Sequence, residues 1–273
     1  PALALSLKPY KDELFAYPAL LSVEEGDVYR VVDYREMRDI NGRDEVPEKR
    51  VKAQYVSLGV RAKQRDLVLK TEAGSVRHFA VGSREGASVI VLYLHGQGGS
   101  RRQGVDDFTF GGNFNRIKNM AMAANGLYLS PDVAAFDDAG AARIAALVAL
   151  YAQRSPKAEI YLACGSMGGV ICWRLADDGN LAPRFGGLLL LGSMWEQDFL
   201  KSAAFRRRVP IYLGQGSRDK VFPAEKVRAF YGQIRSRAKG YPVRMVVFEG
   251  GSHGTPIRMT DWRETINWMA GAR

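Results

Sequence analysis

A serine near the middle of the sequence lies where an apolar run turns sharply into an amphipathic stretch. The segment EIYLACGSMGGVICWRLA reads as a strand, the turn Cys164-Gly165-Ser166-Met167-Gly168 and a helix. Small residues two places before and two places after a serine permit the strained turn that lifts its hydroxyl above a sheet. Glycine is usual at the earlier place, where this chain has Cys164. We predict that Ser166 is a nucleophile for acyl transfer, although small residues also permit close packing of a helix on a sheet.

A nucleophilic serine needs a base and a carboxylate that orients the base, and two later loops contain candidates. Asp219 follows an apolar run in YLGQGSRDKVFP, and His253 lies in the glycine-rich loop FEGGSHGTP. An imidazole can take the proton from Ser166, and a carboxylate can hold that imidazole in place. Taken alone, the aspartate could be a turn residue and the histidine a solvated loop residue. Glu196, with Asp198 beside it, is the alternative acid because it follows the run GGLLLLG; we favour Asp219.

A second glycine-rich turn occurs upstream in YLHGQGGS, at the end of another apolar run. We predict that the backbone N–H groups of Gln97 and Met167 form an oxyanion hole, which stabilises the charge that develops in acyl transfer. The alternative is a phosphate-binding loop, but the patterns GxGxxG and GxxxxGK[ST] are both absent from the sequence. We expect His95 to hold this turn in place, and we expect His78, inside a predicted strand, to be structural.

Aromatic and basic residues on the neighbouring loops are candidates for contacts with a substrate. The predicted substrate-binding residues are Phe108, Trp195 and Phe222, with Phe110 and Phe199 as further candidates. Ordinary loop packing would explain the same residues. Arg101 and Arg102 follow the glycine-rich turn at His95, so a preference for an anionic substrate is a further hypothesis.

These residues need a scaffold, and from about residue 67 the chain alternates aliphatic runs with amphipathic stretches, a pattern typical of a largely parallel sheet with helices. Eight strands are predicted, the first two as a hairpin: RDLVLKT, VRHFAVG, SVIVLYLHG, LYLSPDV, EIYLACG, GGLLLLG, PIYLGQG and VRMVVFEGG. Helices are predicted over 114–124, 139–153, 167–176, 224–237 and 262–269. The connection between GGLLLLG and PIYLGQG is too short for a separate lid domain, so we expect an open site.

Ser166, Asp219 and His253 follow one another at the ends of successive predicted strands, with the turn at His95 upstream. This order resembles the α/β-hydrolase fold family over residues 67–273. The resemblance implies a mostly parallel eight-stranded sheet with helices on both faces. It also implies a lidless serine hydrolase that cleaves a small carboxylic ester or thioester through an acyl-enzyme on Ser166. No cofactor and no metal are expected.

Three other functions remain compatible with the same residues. An acyltransferase or a peptidase would use an identical set of catalytic groups, because the shape of the pocket decides which acceptor or bond is used. A non-catalytic ligand-binding protein on this scaffold is the third alternative, although an intact serine, aspartate and histidine argue against it.

Composition narrows the partners of this chain of 273 residues. Its net charge of +10 favours acidic partners, but the basic residues are scattered and match no nucleic-acid-binding motif, so no nucleic acid is expected. No apolar run is long enough to span a membrane. Cys164 and Cys172 lie eight residues apart, a spacing that predicts neither a zinc site nor a disulfide framework. The oligomeric state is not indicated.

The first 66 residues are less regular, and we interpret residues 1–66 as an extension packed on a catalytic domain of residues 67–273. Strands are predicted within DVYRVVDYR and VKAQYVSLGV of this extension. At its start, Ala2-Leu3-Ala4 fits the A-x-A pattern of a signal-peptide cleavage site. We therefore expect a periplasmic or secreted protein, with a cytoplasmic protein that has lost its initiator methionine as the alternative.

Overall fold

The computed structural model describes residues 5–45 and 49–273, and a single large sheet runs through its centre. The strands in chain order are Leu20–Glu24 (β1), Tyr29–Asp33 (β2), Asp44–Glu45 (β3), Arg50–Val51 (β4), Gln64–Thr71 (β5), Gly74–Gly82 (β6), Val89–Leu94 (β7), Leu127–Pro131 (β8), Glu159–Gly165 (β9), Phe185–Leu191 (β10), Ile211–Gly216 (β11) and Val243–Glu249 (β12). The α-helices are Asp12–Phe15 (α1), Asn113–Ala123 (α2), Asp138–Arg154 (α3), Gly168–Asp177 (α4), Ala203–Arg206 (α5), Ala224–Arg237 (α6), Thr255–Met259 (α7) and Trp262–Gly271 (α8).

The main sheet has ten strands in the order β1-β2-β12-β11-β10-β9-β7-β8-β6-β5. Neighbours from β2 to β8 in this order run parallel, whereas β1 with β2, β8 with β6 and β6 with β5 run antiparallel. The expectation of eight mostly parallel strands is therefore corrected to ten strands in a mixed sheet. The two added strands come from the N-terminal extension, where β2 pairs with β12 and covers an edge that would otherwise be open.

Both faces of the central strands are buried because helices cover each side. Along β7, Ile90, Leu92 and Leu94 contribute to one hydrophobic core, and Val89, Val91 and Tyr93 contribute to the other. This alternation is the two-residue period of a strand. Apolar residues of α3, α4 and α6 complete the first core, and those of α2 and α8 complete the second. A parallel sheet buried on both faces explains why its strands read as continuous apolar runs.

The second strand predicted in the extension does not form as expected. Only β4 is extended at its start, and short 3-10 turns over Ala53–Tyr55 and Leu58–Lys63 replace the rest. The side chain of Asn115 accepts from the N–H of Ser57 and donates to its C=O, at 2.9 and 3.1 Å. These backbone groups are thus satisfied by a side chain of α2 rather than by a neighbouring strand.

A buried ion pair and a hydrogen bond join the extension to the elements that lead to the candidate site. Asp44 and Arg258 form a salt bridge of 2.5 Å with both side chains almost fully buried. Arg43 donates to the carbonyl of Gly111, in the loop that precedes α2. Because Arg258 lies on α7, directly after the loop that carries His253, the extension supports the walls of the site as well as the sheet edge.

Three further expectations from the sequence concern the signal-peptide pattern, a membrane span and a metal site. Ala2-Leu3-Ala4 lies outside the described residues. Among residues 5–45 and 49–273, no helix is long and apolar enough to cross a membrane. The same residues contain no cluster of three or more histidine, cysteine and acidic side chains placed to hold a metal ion.

Candidate active site

Ser166 occupies the turn between β9 and α4 in a strained backbone conformation. Its φ of +49° lies in the left-handed region, which costs a non-glycine residue about 1–2 kcal/mol. The turn is held by its own carbonyl, which accepts from Ser193 Oγ at 2.6 Å and from the N–H of Gly169 at 3.2 Å. Strain of this kind persists only where surrounding contacts determine the conformation, and it is concentrated at functional sites.

Glycines allow this turn to pack closely against the neighbouring strand. A Cβ at Gly168 would lie 2.4 Å from the carbonyl oxygen of Leu94, and a Cβ at Gly96 would lie 2.7 Å from Ser166 Cβ. Neither contact could be relieved by rotating a flexible side chain. Gly168 and Gly96 therefore allow the turn and the neighbouring strand end to approach each other beside the serine hydroxyl.

The two cysteines flank Ser166 and are joined by a disulfide. Cys164 lies near the end of β9 and Cys172 lies on α4, with their Cα atoms 6.5 Å apart. The spacing predicted no disulfide framework, whereas the structure contains this single disulfide. The chain reverses sharply at Ser166, so residues eight apart in sequence become neighbours on the strand and the following helix, which the spacing alone did not reveal.

His253 connects Ser166 to Asp219 through two hydrogen bonds. Its Nε2 lies 2.9 Å from Ser166 Oγ, and its Nδ1 lies 2.8 Å from Asp219 Oδ2. Three loops, after β9, β11 and β12, bring these side chains together at one edge of the sheet. Nδ1 must carry a proton to donate to the carboxylate, which leaves Nε2 free to accept from the serine hydroxyl.

The Asp219 carboxylate is fully supplied with donors. Oδ2 also accepts from Gln215 Nε2 at 2.9 Å, and Oδ1 accepts from the N–H groups of Val221 and Phe222 at 2.8 and 3.0 Å. Burial by itself would raise the pKa of Asp219, but the hydrogen bonds from His253 and the two backbone N–H groups outweigh it and lower the pKa. The group is therefore held as an anion beside the imidazole.

Glu196, the alternative acid, has a different role in the structure. Its side chain accepts from the N–H of Asp198 at the start of a short 3-10 turn. The loop after β10 does approach the site through other residues: Gly192 has a φ of +55°, and a Cβ there would lie 2.6 Å from the carbonyl oxygen of His253.

The glycine-rich turn after β7 is held by His95. Val133 N–H donates to His95 Nε2 at 2.9 Å, so the ring carries its proton on Nδ1 and donates it to the carbonyl of Gly96 at 2.7 Å. Burial lowers the pKa of His95 and favours this neutral form. Within residues 5–45 and 49–273, no acceptor is bonded to the N–H groups of Gln97 or Met167, so both are available to an oxyanion.

A cavity of about 170 Å³ opens beside Ser166. The residues around it are Tyr93, Gly96, Gln97, Gly99, Gln103, Phe110, Gly165, Ser166, Leu191, His253, Gly254 and Ile257. Of the aromatic residues predicted to contact a substrate, Phe110 is in this set. Phe222 packs on the His253 ring with centroids 5.7 Å apart, and Trp195 lies behind Phe222 at 6.4 Å.

The other candidates for substrate contacts lie elsewhere. Phe108 packs against a small apolar cluster of the extension, beneath the guanidinium of Arg50, because its carbonyl accepts from the N–H of Val51 in β4. Phe199 is buried in the core. Arg101 is paired with Asp66 and Asp132 and almost fully buried, so its charge is neutralised within the protein and is not directed at a ligand.

Four residues of the site carried no signal that could be read from the sequence. Ser193 and Gln215 support the serine turn and the aspartate, and Tyr93 and Gln103 line the cavity. Tyr93, Gln215 and Ser193 lie at or just after the carboxyl end of a predicted strand, and this position is the one feature that could have selected them, whereas Gln103 lies farther along the loop after β7. His78 is buried and its Nε2 lies 2.8 Å from the hydroxyl of Tyr151, remote from this cavity.

Solved structures resemble this chain in shape, whereas no protein-family model and no curated protein matches its sequence. A protein of unknown function from Agrobacterium tumefaciens has a TM-score of 0.59 at 15% identity, covering 74% of this chain and 93% of that one. An esterase from Pyrococcus furiosus has a TM-score of 0.55 at 16% identity, with coverages of 76% and 91%. An α/β serine hydrolase without a lid from Xanthomonas campestris has a TM-score of 0.55 at 14% identity, with coverages of 76% and 93%. The chain therefore has an α/β-hydrolase fold, as the order of its motifs implied.

Proposed function

We propose that this chain is a serine hydrolase that cleaves small carboxylic esters or thioesters. The observation that carries the proposal is the hydrogen-bonded series Ser166 Oγ, His253 and Asp219, with separations of 2.9 and 2.8 Å. Separations of this size match those expected between a nucleophile, its general base and the group that orients the base. The esterase from Pyrococcus furiosus and the lidless hydrolase from Xanthomonas campestris share the fold, and their names agree with this activity.

In the first half of the reaction, Ser166 Oγ attacks the acyl carbon while His253 Nε2 takes the hydroxyl proton. The resulting imidazolium is stabilised by the Asp219 anion, whose position is held by four hydrogen bonds. The N–H groups of Gln97 and Met167 receive the negative oxygen of the tetrahedral intermediate. Donors of this type each contribute about 3–4 kcal/mol in well-characterised hydrolases.

In the second half, the imidazolium gives its proton to the departing alcohol or thiol, and the acyl group stays bonded to Ser166 Oγ. Water then attacks the acyl carbon as Nε2 accepts its proton, and the serine recovers its hydrogen when the acid leaves. Every proton that one group releases is accepted by another group in the same step, so the mechanism needs no cofactor. The left-handed turn at Ser166 supports this mechanism, because its hydroxyl lies within hydrogen-bonding distance of His253 Nε2.

A fluorophosphonate probe combined with a single substitution tests the proposal. We expect the probe to label the wild-type protein and to leave Ser166→Ala unlabelled, and p-nitrophenyl acetate and butyrate to be hydrolysed only by the wild type. Ser236→Ala, which removes an exposed hydroxyl on α6, is the matched control and should behave as the wild type. Equal turnover in Ser166→Ala would overturn the assignment. A folded Ser166→Ala protein, checked by thermal unfolding, excludes a trivial loss of structure.

A further inference from the structure

Tyr93 and Gln103 form a hydrogen-bonded pair in the lining of the cavity beside Ser166. Tyr93, in β7, donates its hydroxyl proton to Gln103 Oε1 at 2.9 Å. Both side chains line the cavity together with the apolar side chains of Leu191, Phe110 and Ile257. A hydroxyl and an amide placed against apolar walls are the features that fix orientation and specificity in small-molecule sites.

The hydroxyl of Tyr93 lies directly against the backbone that carries the nucleophile. A Cβ built on Gly165 would be 2.6 Å from this oxygen and 3.2 Å from Ile257 Cδ1. Because Gly165 immediately precedes Ser166, the polar pair adjoins the space that the first atoms of an acyl group on Ser166 Oγ would occupy. Burial raises the pKa of Tyr93, so its hydroxyl stays protonated and remains a donor to Gln103.

The amide of Gln103 has spare hydrogen-bonding capacity. Its oxygen accepts from Tyr93, but across the described segments, 5–45 and 49–273, its two Nε2 hydrogens are bonded to no other residue. Its backbone is fixed on both sides, because Gln103 N–H donates to Ser100 O and the next carbonyl, of Gly104, accepts from Tyr128 at 2.6 Å. Tyr93 thus orients a rigidly placed amide whose N–H groups remain available to a ligand.

The size of the cavity limits what can bind there. At about 170 Å³ it is small for a binding site, since ligand pockets usually measure about 300–1,000 Å³. The cavity adjoins Ser166, to which the acyl group stays bonded until water releases it, so the acyl part of the substrate is the part that lies nearest to the cavity. A short acyl group such as butanoyl suits a cavity of this size better than an octanoyl group does.

We infer that the Tyr93–Gln103 pair makes this cavity an acyl pocket for short acyl groups that carry a hydrogen-bond acceptor, such as an ether, hydroxyl or keto oxygen close to the carbonyl. Gln103 is the donor to that oxygen, and Tyr93 is the residue that positions Gln103. This inference rests on the proposed serine hydrolase activity and specifies its substrate class.

Two esters of equal size test the effect of the polarity of the acyl group separately from the effect of its volume. In p-nitrophenyl methoxyacetate, an ether oxygen replaces one methylene of p-nitrophenyl butyrate. Because the ether also activates the carbonyl, each kcat/KM is divided by the rate constant for hydroxide-catalysed hydrolysis of the same ester. We expect the wild type to favour methoxyacetate by about fivefold after this normalisation, the effect of one ordinary net hydrogen bond. The octanoate should react at least tenfold more slowly than the butyrate.

Substitutions test whether the Tyr93–Gln103 pair causes the preference for methoxyacetate. Gln103→Leu keeps the approximate volume and removes the donor, so the normalised ratio of methoxyacetate to butyrate should fall to about one. Tyr93→Phe removes the hydroxyl that orients the amide and should give an intermediate ratio. Gln233→Leu removes an exposed amide on α6 and should leave the ratio of the wild type unchanged.

The outcomes distinguish this inference from the function on which it rests. A normalised ratio of one in the wild type, or a fivefold ratio that survives in Gln103→Leu, overturns the inference while labelling of Ser166 by the fluorophosphonate still stands. Equal hydrolysis of octanoate and butyrate overturns its size limit. Absence of both labelling and hydrolysis removes the proposed function, and the acyl pocket with it. If Gln103→Leu does not fold, the ester comparison on the wild type alone decides.

Discussion

Ser193 Oγ donates a hydrogen bond of 2.6 Å to the backbone carbonyl of Ser166. The donor belongs to the loop after β10 and the acceptor to the turn after β9, so the bond joins two neighbouring strand ends. It acts on a non-glycine residue whose backbone is left-handed, and it therefore stabilises the conformation that presents the hydroxyl.

Ser193→Ala is expected to lower kcat about three- to tenfold and the free energy of unfolding by about 1 kcal/mol, the usual value of a lost hydrogen bond. The effect on kcat arises because the remaining bond, from the N–H of Gly169, leaves the turn less constrained. Ester hydrolysis and thermal unfolding measure the two effects. If the variant loses stability but keeps full kcat, Ser193 has no positioning role.

Gln215 provides a second test of positioning, because it donates to Asp219 Oδ2 at 2.9 Å without contacting Ser166. Gln215→Leu should reduce kcat about tenfold, since a hydrogen bond to a charged group contributes about 1.5–3 kcal/mol, part of which the other donors retain. Asp219→Asn, which removes the orienting charge itself, should cost about 10⁴.

Two comparisons make this prediction specific. Gln215→Glu should be worse than Gln215→Leu because it places a second carboxylate beside Asp219. Glu196→Gln should leave kcat near that of the wild type, since Glu196 only caps a turn. A large loss of kcat in Glu196→Gln with little loss in Asp219→Asn would reverse the assignment of the acid.

Gly168 and Gly232 form a matched pair of helical glycines. A Cβ at Gly168 would lie 2.4 Å from the carbonyl oxygen of Leu94, whereas a Cβ at Gly232 would meet nothing within 4 Å. Gly168→Ala must push α4 away from β7 and should cost about 1–3 kcal/mol together with most of the activity. Gly232→Ala, inside α6, should stabilise the protein by about 0.4–1 kcal/mol and leave kcat unchanged. Denaturant unfolding measures both, and equal effects would contradict the close approach of α4 to β7.

Acidification should destabilise the protein through two buried histidines. Burial lowers the pKa of His78 and of His95 below the ordinary value of 6.5. Above that value neither the folded nor the unfolded chain binds the proton, and the contribution of these residues to stability is complete. As the pH falls through 6.5 the unfolded chain binds protons first, so the free energy of unfolding decreases. Asp219, whose pKa is lowered, acts in a separate window below 3.8.

Thermal unfolding between pH 8 and pH 5.5 measures this effect. His78→Gln keeps a polar side chain next to Tyr151 but cannot titrate, so Tm should depend less steeply on pH than in the wild type. At pH 8 the difference between the two proteins reflects packing alone and serves as the reference. Parallel curves over the whole range would show that His78 does not contribute.

Much of the scaffold could be predicted because its elements have strong local periodicity. The helix predicted over 224–237 coincides with Ala224–Arg237, and all eight strands predicted after residue 64 are present. The chain order of Ser166, Asp219 and His253 at the strand ends was also visible in the sequence, since glycines and turn residues mark where apolar runs stop. These features depend on residues within one turn or one strand of each other.

The sequence by itself therefore determined the strands β5 to β12, their order along the chain and the positions of Ser166, Asp219 and His253 after three of them. Tertiary structure decided the pairing of β2 with β12, the disulfide beside Ser166, and the contacts of Ser193, Gln215 and Gln103. Each of these contacts depends on how the chain folds back on itself, because the residues concerned are often far apart in sequence. They also belong to common residue types. No local sequence pattern distinguishes such a residue from others of its type. Its contacts depend on the order of the strands and on the close approach of backbones, and both exist only once the whole chain has packed.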